Sequence, residues 1–268
     1  MTNVLFQNTN LPDIIELRNV SQQYGDVVII DGLNLLIEEK PGYGQINVVL
    51  GPSGCGKSSI LRYIAGLQTP SSGEIFLYQK LRTEKNHVGM VFQQYSSFPW
   101  LSVFDNISIS LVLQRISKKE RYDKTMEMIQ FCDLEKHKGK FAQYPILSGG
   151  QLQRVAIARS LVANPNILLL DEPFGALDIN TRLKMQDMLL RIQNQLKPTL
   201  IFVTHDISEA VYLANNIYIM SANPGQIQYH IKINLPVSER TRIIKRDSTF
   251  MQYIYQIEDI MMNLQQQK

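Results

Sequence analysis

Ile46-Asn-Val-Val-Leu50-Gly51-Pro52-Ser53-Gly54-Cys55-Gly56-Lys57-Ser58-Ser59 decides how this chain folds. Its first five residues are a short, mostly apolar run ending at a glycine, as a strand buried on both faces reads. From Gly51 to Ser58 the residues fit G-x-x-x-x-G-K-[ST]. The glycines let the backbone turn tightly, so that successive N–H groups point inward at anion oxygens. Lys57 brings a point charge for the β- and γ-phosphates, and Ser58 a hydroxyl ligand for Mg²⁺. A helix through Ser58-Ser59-Ile-Leu-Arg-Tyr-Ile-Ala-Gly66 adds its positive N-terminal end. The bland alternative is a glycine-rich turn with no ligand. The pattern arises by chance in about one such chain in a hundred, and here an apolar strand precedes it and a helix follows. Cys55 reads as a small residue whose backbone N–H faces phosphate.

A second apolar run stops at two acids, Ile167-Leu-Leu-Leu-Asp171-Glu172-Pro173. In a parallel sheet, ligands bind beyond the carboxyl ends of the strands. Asp171 is therefore a candidate for the Mg²⁺ shell, and Glu172 for the general base that polarises water. On its own, such a pair is as well read as solvated acids at a loop start. After a phosphate loop the chemical reading leads.

Working outward, Ile14–Val20 and Val27–Leu36 read as antiparallel strands, residues 40–44 (KPGYG) as a turn, and Glu74–Leu77 and Val88–Phe92 as further strands. From about residue 94 to 147 helical periodicity and charge rise (Leu111–Ile116, Tyr122–Phe131), which predicts a separate helical lobe. A helix follows Gly150, with Val155, Ala158, Leu161 and Val162 on one face. Ile167–Leu170, a helix over Asn180–Leu196 and Leu200–Val203 give strand, helix, strand, hence a parallel sheet with right-handed crossovers. After Asn223 the pattern is less regular. Phe250, Ile254, Ile257, Met261 and Leu264 then fall at helical spacing and predict a docked amphipathic helix.

The bulk numbers fit this picture. The 268 residues are 44% hydrophobic and 19% charged, with net charge +3, as a folded globular protein has. No clustered basic face points to nucleic acid. No apolar run approaches a membrane-spanning helix, and the start MTNVLFQNTNLPD lacks the layout of a secretory signal. Cys55 and Cys132 form no metal or disulfide pattern, so the expected compartment is the cytosol.

Three more segments carry a family resemblance. Leu147-Ser148-Gly149-Gly150-Gln151, continued by Gln153-Arg154, resembles the ABC signature motif; Gly175-Ala-Leu-Asp178 resembles the D-loop; Val203-Thr204-His205-Asp206 resembles the switch-histidine segment. Gln93 matches the Q-loop glutamine and Tyr24 the aromatic that stacks on adenine. Their order and spacing are similar to those of ABC transporter nucleotide-binding subunits over roughly residues 14–222. Ser59 stands where threonine is common in that family. The resemblance implies an α/β fold: a P-loop NTPase (RecA-like) core with a parallel sheet, an antiparallel β subdomain and an inserted helical lobe. The cassette would span 12–222, with its lobe at about 94–147, and 223–268 would form a short extension with a terminal helix. The implied chemistry is hydrolysis of ATP with Mg²⁺. Glu172, His205, Gln93 and Lys57 would be catalytic, and Ser58, Gln93 and Asp171 would serve the metal. The loop 51–59, Tyr24, Ser148–Gln151 and Asp178 would contact nucleotide, the signature facing the γ-phosphate held by a second copy. Ser148 also reads as an ordinary helix cap. His87, His137 and His230 have no such context and receive no role.

Phe98-Pro-Trp100-Leu-Ser-Val-Phe-Asp105-Asn106-Ile resembles the nitrate/sulfonate/taurine group of bacterial importer ATPases, and the tail leaves no room for the regulatory domain of sugar-importer ATPases. The resemblance implies an ATP-dependent homodimer, or a pair with a related ATPase subunit. It also implies a transmembrane permease docking near the Q-loop and Trp100, at the inner face of the cell membrane, and no nucleic acid. Trp100 packing inside the lobe is the competing expectation. A non-transport ABC ATPase, a lipid-transport ABC ATPase and a nucleotide-binding scaffold without turnover are the alternatives; an intact Glu172 and His205 argue against the last.

Overall fold

The computed structural model describes residues 13–38, 42–83, 88–94, 96–235 and 240–266. His87, the chain start and residues 40 and 41 of the expected 40–44 turn lie outside these. In chain order the elements are β1 (Asp13–Tyr24), β2 (Val27–Glu38), β3 (Gln45–Leu50), α1 (Lys57–Ala65), β4 (Ser72–Leu77), β5 (Lys80–Leu81), β6 (Gly89–Val91), α2 (Val103–Leu113), α3 (Lys118–Phe131), α4 (Gly149–Leu161), β7 (Ile167–Asp171), α5 (Ile179–Leu196), β8 (Thr199–Thr204), α6 (Ile207–Leu213), β9 (Asn216–Met220), β10 (Ile227–Lys232) and α7 (Ser248–Gln266). The chain divides into two compact units, Met1–His87 with Ile192–Lys268, and Val88–Arg191.

The first unit holds an antiparallel sheet in the order β2-β1-β4-β5. Alternation sets its inner face: Ile15, Leu17, Ile30, Leu33, Leu35 and Ile37 are buried. A second set of strands runs β10-β9-β3-β8, with β3 parallel to both β8 and β9 and β10 antiparallel to β9. Every residue of β3, β8 and β9 is buried, which explains their nearly continuous apolar runs. Among the polar exceptions, Asn216 Nδ2 donates to Asn47 Oδ1 at 2.9 Å from directly paired positions, while Asn47 Nδ2 is buried with no hydrogen-bond partner among the described residues. The strand β10 was not expected, because Gln228, Tyr229 and His230 are exposed and only Ile231 in its second half turns inward, so its run lacks apolar alternation. In α7 the predicted stripe is present: Phe250, Ile254 and Ile257 are buried, and Met261 and Leu264 half-buried.

The second unit holds the parallel pair β6–β7 and the helices α2, α3 and α4. Each of these helices starts at a serine whose hydroxyl accepts an amide of the first turn: Ser102 from Asp105, Ser117 from Glu120 and Ser148 from Gln151. The helix expected through Ile116 ends at Leu113, since Arg115 takes φ +57° and breaks the ladder. The helix α4 buries more than the expected single face, with Leu152, Val155, Ala156, Ile157, Ala158 and Leu161 all inside. The acid pair expected at a strand end is at the end of β7.

Candidate functional site

In the first unit the register of β3 against β8 pairs Leu50 with Thr204, so Gly51 and His205 leave neighbouring parallel strands at the same end. The loop between Gly51 and Lys57 needs its glycines. Gly54 and Gly56 take φ +80° and +101°, a region L side chains rarely enter. Gly56 is the N-cap of α1, with no side chain to cap it and no acid in the first turn. A helix that opens on a glycine, with no side-chain cap and no acid in its own first turn, is the kind of helix start that accepts an external phosphate. Lys57 is 4% exposed, and its ammonium donates to the carbonyl oxygens of Gly51 at 2.9 Å and Pro52 at 2.8 Å. Ser53 is exposed and Pro52 and Ser58 half-buried on the loop surface, while Cys55 is buried beneath it with Sγ against Gly51. Ser59 is half-buried in the first turn of α1.

His205 is exposed on a turn clamped from behind: Thr204 Oγ1 donates to Glu209 Oε2 at 2.6 Å and accepts from Asp206 N at 3.1 Å, and Asp206 caps α6. Tyr24, at the end of β1, shows 56% of its surface, and its hydroxyl accepts from Gln68 Nε2 at 2.6 Å. Behind it, Gln22 Oε1 accepts from Tyr63 and Gln68.

In the second unit Val91 pairs with Leu170, so Gln93 and Glu172 emerge beyond the same strand ends. Asp171 is 5% exposed, and Glu172 is half-buried with a left-handed φ of +41°. Gln93 Nε2 lies 3.9 Å from the point where a side chain on Gly175 would begin, and the Glu172 carbonyl 3.6 Å from it, so these residues form one cluster. Asp178 is exposed and accepts from Thr181 N at 3.0 Å. The Thr181 hydroxyl first, and backbone amides after it, hold the Asp178 carboxyl below its ordinary range.

Ser148 and Gln151 form a reciprocal cap. Ser148 N donates to Gln151 Oε1 at 2.8 Å, and Gln151 N donates to Ser148 Oγ at 3.3 Å. The Gln151 amide expected to face phosphate is thus taken by the cap, which leaves those of Gly149 and Gly150. Gly150 sits where any side chain would overlap the Thr181 γ-methyl of α5. The sequence reading missed Gln68, Thr181 and His137, whose Nε2 stands 3.0 Å from Gln151 Nε2. Both thiols are buried, that of Cys132 pushed up to about 12 by desolvation. His230 stacks on Tyr218 at 4.6 Å.

A glycine loop that turns a lysine inward between a buried strand and an uncapped helix defines a phosphate-loop ATPase of the α/β class. The chain belongs to the ABC transporter family, which matches residues 37–175, and within it is of the ATP-binding, ATP-hydrolysing kind. Over 243 residues it is 42% identical to the nitrate import ATP-binding protein of Synechocystis sp., covering 88% of this chain and 89% of that one. Over 218 residues it is 45% identical to the aliphatic sulfonates import ATP-binding protein of Bacillus cereus, covering 81% and 83%. A dimeric ATP-binding cassette in a post-hydrolysis state, bound to ADP and Pi, matches with TM-score 0.70 at 30% identity, covering 83% of this chain and 100% of that one. Among the described residues, no helix is long and apolar enough to cross a membrane.

Proposed function

We propose that this chain drives an importer from outside the bilayer, as an ATPase that closes in pairs on ATP and acts on a separate membrane permease. The observation that carries the reading is the loop 51–58, with its buried ammonium and uncapped helix start. Lys57 and the loop amides grip the triphosphate. Ser58 and Asp171 offer one hydroxyl and one carboxylate. With Gln93 they would hold Mg²⁺, which takes hard oxygen ligands of this kind. The metal supplies charge neutralisation on the phosphates. Glu172 polarises the attacking water, His205 braces the γ-phosphate, and Tyr24 stacks on adenine. Ser148, with the Gly149 and Gly150 amides, completes the site of the other copy, beside Asp178. Residues 12–222 serve as the cassette, with its lobe near 94–147 and an extension from 223.

The import direction is supported by the import ATP-binding proteins among the relatives. The permease contact is supported by Trp100, which is 68% exposed rather than packed inside its unit, with its ring 5.5 Å from that of Phe98. Placement on the inner face of the cell membrane, through the permease, is part of the same reading and is supported by the import ATP-binding proteins among the relatives. The test is Glu172→Gln, sized by light scattering. It should bind ATP, stop hydrolysis and become a dimer only with ATP. A monomer under both conditions overturns the paired reading.

A further inference from the structure

The Gln151 side chain that caps Ser148 also meets a histidine, His137. Gln151 Oε1 is committed to the Ser148 amide at 2.8 Å, so the nitrogen of the same side chain is what faces His137 Nε2 at 3.0 Å. An amide nitrogen only donates. The ring nitrogen opposite must accept, and the ring proton must sit on Nδ1, which is buried and has no hydrogen-bond partner among the described residues. Rotating the amide by half a turn would repair a donor–donor clash at His137 only by creating one at Ser148.

We propose that His137 is a positioning residue for the signature serine: as a neutral Nδ1–H tautomer it orients the Gln151 amide, and through it the cap that fixes Ser148. The inference rests on the reading of Ser148 as the serine that meets nucleotide. Its geometry does not.

The surroundings favour the neutral ring. His137 ends the short 3-10 turn Glu135–His137. Desolvation first, then Lys140 and Lys136, lower its proton affinity. On adjoining elements, the α4 cation Arg154 is engaged by Asp133 at 2.9 Å. Asp105 at the start of α2 is held by Ser102 at 2.6 Å. The last turn of α3, Met128–Phe131, carries no charge. A histidine whose folded affinity is lowered binds more protons when unfolded, so stability is full above the ordinary value of about 6.5 and declines as pH falls below it.

Two measurements test this on the whole 268-residue chain. Nitrogen NMR of the imidazole rings, with His137 assigned from the signals lost in His137→Gln, should show Nε2 unprotonated at neutral pH; a proton on Nε2 overturns the proposal. The second measurement is the ATP concentration needed for dimerisation in the Glu172→Gln background. At about pH 8 His137→Gln, which accepts through its amide oxygen and does not titrate, should match its parent, and His137→Leu should need about tenfold more ATP. At about pH 5.5 the parent should need about threefold more ATP than His137→Gln. Any acid response from His205 is common to both and cancels. Equal acid responses in the two, or no effect of His137→Leu, overturn the proposal. If the background variant never dimerises, the nucleotide role of Ser148 falls, and NMR alone decides the His137–Gln151 pair.

Discussion

The Lys57 ammonium lies 2.9 Å from the Gly51 carbonyl oxygen, so the lysine near the end of the phosphate loop ties back to the loop's first residue. A buried cation is costly unless its donors are satisfied. Here the loop's own backbone does this and holds the ring of amides in shape, and the same charge faces incoming phosphate.

Lys57→Ala removes both the tether and the charge. ATP affinity measured by calorimetry should fall at least about tenfold, the effect of losing one charge-assisted contact of about 1.5–3 kcal/mol. Unchanged affinity would contradict the cradle.

Gly150→Ala places a methyl against the Thr181 γ-methyl. Overpacking of this kind costs about 1–3 kcal/mol, read as a lower urea midpoint. Adding Thr181→Ser deletes the obstructing methyl while keeping the hydroxyl that bonds Asp178, and should restore most of the loss.

Tyr24→Ala and Tyr24→Phe separate ring from hydroxyl. Loss of stacking costs about 1–3 kcal/mol per base, so Ala should raise KM for ATP about tenfold or more with kcat little changed. Phe keeps the face and loses only the exposed bond to Gln68, and should shift KM by about twofold at most. Equal effects of the two would sink the stacking role.

Asp178 carries a pH signature. Its carboxyl is held low in the fold, so the charged form's contribution is present above the ordinary value of about 3.9 and is lost as pH falls through the lower folded value. Carbon NMR should show Asp178 titrating below 3.9, about the model-peptide value, and Thr181→Val should move it back up.

Arg240 is 5% exposed and donates to the carbonyls of Leu213 at 2.6 Å, Tyr212 at 3.3 Å and Leu235 at 2.8 Å. It thereby satisfies the carbonyl end of α6. Arg240→Ala strands these acceptors and should cost about 2–4 kcal/mol of stability with ATP affinity unchanged; a stable variant would show that other donors replace it.

Local chemistry was readable in the residues themselves. The loop 51–58, the acids after Ile167–Leu170 and the cap at Ser148 are short segments whose backbone demands are met by their own residue types, and buried strands such as β3 and β8 announce themselves because both faces must be apolar. Contacts between distant residues left no such trace. Periodicity carries no mark of His137 reaching Gln151, of Thr181 forbidding a side chain at Gly150, or of Arg240 crossing to α6. Each depends on where a turn or helix comes to lie, and on which lone pair is already taken when it arrives. The edge strand β10 escaped for a related reason: with one neighbour and an exposed face, its residues had little need to alternate. Trp100 was open to two readings until folding left it exposed, because an aromatic packs equally well in a core or on a surface awaiting cover. Hydrogen-bond partners and surface exposure are set by three-dimensional proximity, and that is what tertiary packing alone supplied.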